Sequence, residues 1–72
     1  MATNVAGIVR LRPRERQVLA LAAHGLRNAA IAERLCLSEQ TVKNYLTAIY
    51  KLLRVRNRTG ATAIYWQTKR GA

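Results

Sequence analysis

Leu37-Ser38-Glu39-Gln40-Thr41-Val42-Lys43-Asn44-Tyr45-Leu46 packs a helix start, an oily face and a polar face into one short stretch. The Ser38 hydroxyl can accept from the free backbone N–H groups of a first helical turn, and Glu39 stands where the positive end of the helix dipole favours an anion. At about 100° per residue, Val42, Leu46, Ile49 and Leu53 fall within a narrow arc, while Gln40, Lys43, Asn44, Thr47 and Lys51 fall opposite. The spacing predicts a helix over 39–53 with one face for packing and one for contact. That second face suits base-pair edges: the amides of Gln40 and Asn44 can make paired hydrogen bonds to adenine, Lys43 can reach guanine or a phosphate, and Thr47 is short enough for close approach in the major groove. An ordinary amphipathic surface helix divides its residues in the same way, so the rest of the chain has to decide.

The chain has 72 residues, enough for one small domain and too few for a deep catalytic cleft. Its 13 Lys and Arg against 3 acidic residues give a net charge of +10, which points to a polyanionic partner: nucleic acid first, an anionic membrane surface second. Most of the cations are Arg, suited to bidentate phosphate and base-edge contacts. The acids are Glu15, Glu33 and Glu39, so no carboxylate cluster is available for metal or two-acid chemistry. Cys36 and His24 stand alone, which leaves no internal disulfide, zinc site, triad or phosphate loop. The expectation is a soluble cytoplasmic domain that is not an enzyme and takes no cofactor, metal or small-molecule ligand. No long apolar run suggests a membrane span.

Along the chain, residues 1–9 lack periodicity and are expected as a flexible arm, with Arg10 and Arg12 able to add phosphate contacts; the folded domain is expected over 10–70. Pro13 suits a first helical turn and Glu15 its dipole, with Val18, Leu19, Ala22 and Leu21 on the buried side and Gly25 ending the helix after His24. A second helix over 28–35 turns Ile31, Ala32 and Leu35 inward, and its small Ala29 and Ala30 would permit close approach. Cys36 is expected as a small core residue in the turn that leads to the 39–53 helix. Beyond a basic connection over 54–59, in which Val55 anchors the loop and Asn57 is the N-cap, a fourth helix runs from about Arg58 to Lys69. Ala61, Ile64, Tyr65 and Thr68 share one of its sides, leaving Ala63, Trp66 and Gln67 available. Trp66 is read either as a core-edge residue or as part of an interface.

Residues 11–69 resemble the LuxR-type, GerE-like helix-turn-helix domain, as in the effector domain of NarL/FixJ-type response regulators. The residues that carry the resemblance are Leu11, Pro13-Arg14-Glu15-Arg16, Val18-Leu19, Gly25-Leu26, Asn28, Ile31-Ala32, Leu35, Leu37-Ser38-Glu39, Thr41-Val42-Lys43-Asn44, Leu53, Val55 and Arg56-Asn57-Arg58-Thr59. The resemblance implies an all-α, four-helix bundle: a three-helix core whose second and third helices form the helix-turn-helix, plus a C-terminal dimerisation helix. It implies a bacterial transcription regulator that recognises a specific duplex site through the major groove. Carried onto this sequence, Lys43, Asn44 and Thr47, with Gln40, face the bases; Thr41, Lys51, Arg54, Arg56, Arg58 and Arg27 contact phosphates; and Ala63, Trp66 and Gln67 form a two-fold dimer contact. The implied partners are double-stranded DNA, a second copy on DNA and RNA polymerase.

The chain departs from the family pattern in several places. Arg12 and Arg27 stand where capping Ser or Thr is usual, at about 1 kcal/mol each. Ala29-Ala30 replaces Lys-Glu, so a phosphate contact is lost that Arg27 is placed to restore. Gly60 stands where Glu is common, with a cost of up to about 1 kcal/mol in a fully helical position. A sigma-factor region-four domain shares the Pro-Arg-x-Arg opening and the Thr-Val-Lys pattern, but not the Val55–Thr59 stretch or the fourth helix. A cationic membrane-surface module would need an exposed apolar face, whereas these faces are accounted for by mutual packing. The chain reads equally as the effector half of a larger regulator or as a stand-alone one, and Met1 does not decide between them.

Overall fold

Apolar residues at helical spacing, with start and stop signals around them, give five helices among residues 5–71, the part that the computed structural model describes. They are α1 (Val5–Arg10), α2 (Pro13–Ala23), α3 (Asn28–Leu35), α4 (Glu39–Leu53) and α5 (Arg58–Gly71). The four expected helices are α2 to α5, and α3 and α4 form the helix-turn-helix. Leu11, with Val18, Leu19 and Ala22 of α2, Ile31 and Ala32 of α3, Val42, Leu46, Ile49 and Leu53 of α4, and Ala61 and Ile64 of α5, makes one buried cluster. Fully burying a Leu, Ile or Val side chain contributes about 1.5–3 kcal/mol, and Val18, Ile31, Val42, Ile49 and Leu53 have no exposed surface.

Three helices end in the same way. Gly25 after α2 has φ +95°, Cys36 after α3 has φ +59° and Arg54 after α4 has φ +58°, all left-handed. In each case the next N–H reaches back five residues: Leu26 to the Leu21 carbonyl at 3.1 Å, Leu37 to Ala32 at 2.8 Å and Val55 to Tyr50 at 3.0 Å. The residue after each left-handed position is apolar and packs on the core, which is the hydrophobic contact that accompanies this closure. Cys36 is therefore corrected: it is exposed and serves as a left-handed helix cap instead of filling the core. Ala29 and Ala30 are also exposed, so the close approach expected of them is not made among the described residues.

Over 1–9, where a flexible arm is expected, Val5–Arg10 is helical instead; the expectation for residues 1–4 lies outside the described residues. The reason is Gly7, which is buried against the end of α4: a Cβ there would lie 2.7 Å from the Leu52 carbonyl oxygen and 3.0 Å from Leu53 Cδ2. Six residues are too few for an isolated helix, so packing of Gly7 and Ile8 holds α1 in place. Gly7→Ala should destabilise the fold by about 1–3 kcal/mol, outweighing the gain of about 1 kcal/mol in helix propensity, because the obstacle is backbone. A lower melting temperature, with the largest rise in hydrogen exchange at the α1 amides, would register it; exchange and melting identical to the parent would disprove the close approach.

Gly60 likewise has a packing reason. A Cβ there would sit 2.9 Å from the Val55 Cβ, so the glycine that looks like a helix defect makes room for the loop anchor. Asn57 caps α5 as expected, its Oδ1 accepting from the Gly60 N–H at 3.0 Å.

Candidate nucleic-acid interface

Burial on one side of α4 fixes what the other side offers. Val42, Leu46, Ile49 and Leu53 are buried, and Gln40, Lys43, Asn44, Thr47 and Lys51 are exposed. The helix start is organised by one hydroxyl: Ser38 Oγ accepts from the Thr41 N–H at 3.0 Å and donates to Thr41 Oγ1 at 2.9 Å. The Thr41 hydroxyl proton therefore has no competing role at the cap and can donate to a phosphate oxygen. Two further bonds order the polar strip. Gln40 Nε2 donates to Asn44 Oδ1 at 3.1 Å, and Thr47 Oγ1 donates to the Lys43 carbonyl at 3.0 Å. With its proton directed inward, Thr47 offers a methyl group and oxygen lone pairs outward.

Exposed cations stand on α4 and on the segments next to it in the chain. Lys51 lies in the last turn of α4, Arg54 and Arg56 lie on the connection to α5, and Arg27 holds the N-cap position of α3; all four are exposed. Arg27 and Arg12 make no side-chain cap bond; at α2, Glu15 compensates in part by accepting from the Arg12 N–H at 2.8 Å. Arg10 and Arg12 are exposed as well.

Arg58 is corrected. Its guanidinium donates to the Ala22 carbonyl at 3.2 Å, to the Leu26 carbonyl, and to Asn28 Oδ1 at 3.5 Å. It thus joins the C-terminal end of α2 and the first residue of α3 to the start of α5, a structural role in place of the purely phosphate-directed one expected. The partial negative charge of the α2 C-terminus favours a cation there. No local signal in the sequence could have found this role, since the acceptors lie 30 to 36 residues away. Arg58 also lowers the titration point of Tyr50, whose phenol burial pushes above its ordinary value of 10.0.

On the far side, Ala63 and Gln67 are exposed. Trp66 packs at the edge of its own chain and keeps part of its surface open. Its indole N–H donates to the Ala23 carbonyl at 3.2 Å, and its ring meets those of His24 and Tyr65 edge-on at 5.0 Å, yet 37% of the residue remains exposed. His24 Nδ1 donates to the Ala20 carbonyl at 2.7 Å, in keeping with its expected place at a helix end.

Residues 9–65 match the luxR family of bacterial regulatory proteins. The chain belongs to that family. Among its relatives, the transcriptional regulatory protein LnrK of Bacillus subtilis (strain 168) is 51% identical over 55 residues, covering 76% of this chain and 24% of the relative. The nitrate/nitrite response regulator protein NarL of Escherichia coli (strain K12) is 40% identical over 60 residues, 83% of this chain and 28% of NarL. The DNA-binding transcriptional activator DevR/DosR of Mycobacterium tuberculosis (strain ATCC 25618 / H37Rv) is 40% identical, with the same two coverages, 83% and 28%. The chain spans about a quarter of the length of these relatives. It is thus an all-α luxR-family helix-turn-helix domain, of the DNA-binding kind used in bacterial transcription regulation. Among the described residues, no helix is long and apolar enough to cross a membrane.

Proposed function

We propose that this luxR-family domain, with residues 10–70 as its working unit, binds a specific duplex site by laying α4 in the major groove, and that it regulates transcription in the bacterial cytoplasm as a binding module with no catalysis of its own. The observation that carries this is the strip of Gln40, Lys43, Asn44 and Thr47, all exposed on the side of α4 that faces away from its buried residues. In this reading these four side chains address base edges, while Thr41, Lys51, Arg54, Arg56 and Arg27 hold the backbone. Base contacts specify and phosphate contacts position. RNA polymerase is the machinery on which such a bound regulator would act. Membership of the luxR family favours this over a sigma-factor reading.

Selection from random duplexes tests it. Lys43→Ala and Asn44→Ala should change the selected consensus, each lost bidentate contact costing about 1–3 kcal/mol of base discrimination, whereas Arg56→Ala should weaken all duplexes alike. A consensus altered only by Arg56→Ala would reverse these roles.

We infer further that two copies bind a roughly palindromic site through α5, with half-sites about one helical turn, near 10 bp, apart. Ala63, Gln67 and the exposed part of Trp66 are the contacts. A surface this small supports a weak pair that forms mainly on DNA, where the duplex raises the effective concentration. Ala63→Glu should abolish cooperative binding and leave a folded monomer on one half-site. Gel shifts showing one protein per site, with nothing changed in that variant, would leave α5 as a core helix only.

A further inference from the structure

Resting on the reading that α4 enters the major groove, we propose that Asn44 recognises one adenine and that Gln40 acts through it as a positioning residue, the two amides forming a single hydrogen-bonded reading unit. Gln40 Nε2 donates to Asn44 Oδ1 at 3.1 Å, and both residues are exposed on the same strip. An asparagine amide left to itself rotates about its last torsion and presents its oxygen and nitrogen in either order. With Gln40 Nε2 as the donor, Oδ1 is held on the Gln40 side and Nδ2 is turned away from it. One lone pair of Oδ1 is used by Gln40; a second lone pair and both Nδ2 protons remain for a ligand.

The face that remains is one acceptor beside one donor. In the major groove a single adenine offers the complement, an N7 acceptor beside an N6 amino donor. Guanine offers two acceptors, cytosine only a donor, and thymine an acceptor and a methyl. Asn44 Nδ2 then donates to N7 while Oδ1 accepts from N6, with Gln40 donating to the same oxygen from behind. This changes the role expected of Gln40: its effect on base choice passes through Asn44 instead of through a base of its own. An amide pair one helical turn apart that merely stabilises the helix, by about 0.2–0.5 kcal/mol, would move the melting temperature and leave base preference untouched.

The test is a double-mutant cycle on base preference. Binding of the parent, Gln40→Ala, Asn44→Ala and the double variant is measured on the selected site and on duplexes carrying each base pair at each position. Asn44→Ala should lower the preference for adenine at one position by about tenfold or more. Gln40→Ala should lower it at that same position by about threefold or more in the parent and by less than about twofold once Asn44 is gone. Gln40→Glu, which cannot donate to Oδ1, should lose the adenine preference as Gln40→Ala does. If the position that responds to Asn44 prefers another base, or if the two single effects multiply in the double variant, the proposal is overturned while groove reading by α4 stands. If no variant alters any base preference, groove reading by α4 fails and the amide pair fails with it.

Discussion

Affinity for a selected duplex will fall steeply as salt is raised. Arg27, Lys51, Arg54 and Arg56 are four exposed cations proposed to meet phosphates, and each phosphate neutralised releases counterions, so log affinity should fall with a slope of about −0.9 per contact against log salt. Between 50 and 200 mM salt that amounts to a loss of about 10²-fold for one domain and about 10⁴-fold for two copies sharing a site. Arg56→Ala should flatten the slope by about 0.9 per bound domain, and Arg58→Ala should leave it unchanged provided the protein is still folded. Titrations across a salt series that show constant affinity would remove the electrostatic part of the proposal.

The second large effect concerns Arg58 itself. Arg58→Ala strands the Ala22 and Leu26 carbonyls and the Asn28 side chain at the junction of α2, α3 and α5, and lost hydrogen bonds to a charged group cost about 1.5–3 kcal/mol each before any relaxation. A net loss of about 2–4 kcal/mol is expected. A chain of this size has only about 4–11 kcal/mol of stability in total, so melting should fall by about 10–25 °C. Arg58→Lys should recover little, because an ammonium is a single point where the guanidinium is a fork. Arg56→Ala is the control: it removes an exposed charge from the same basic loop and should change stability by less than about 0.5 kcal/mol. Equal melting temperatures for the Arg56 and Arg58 variants would show that the junction does not depend on the guanidinium.

Tyr50 supplies a pH signature for the same junction. Burial pushes its phenol above the ordinary 10.0 and Arg58 draws it back, so without Arg58 it should titrate at higher pH. A raised pKa means that the fold favours the neutral phenol. Its contribution is therefore complete below about pH 10 and is lost as pH rises through the folded value.

The helices were legible because their signals are local. Ser38 before Glu39, Pro13 at a first turn, Asn57 before Arg58 and Gly25 after Ala23 are punctuation that neighbours alone determine, and the buried arc of Val42, Leu46, Ile49 and Leu53 needs only periodicity. What escaped was set by residues far away in sequence. Gly7 has meaning only beside the Leu52 carbonyl, Gly60 only beside Val55, and Arg58 only beside a loop more than 30 residues earlier. Left-handed Cys36 and Arg54 escaped for another reason: glycine is the usual occupant of that position, and neither residue announces the conformation. The polar strip of α4 was legible as a set, whereas the bond between Gln40 and Asn44 needed coordinates.

The junction at Arg58 also bears on how this domain comes into being. A ribosome releases α2, α3 and α4 before it releases α5, and the last helix supplies Ala61, Ile64 and the guanidinium that close a core begun some forty residues earlier. Until then the emerging chain carries every residue of the α4 strip on a core that still lacks the side supplied by Ala61 and Ile64. A chain halted before residue 58 would lack Ala61, Ile64 and the guanidinium, so the surface of α4 is held on a closed core only once the final turns are made.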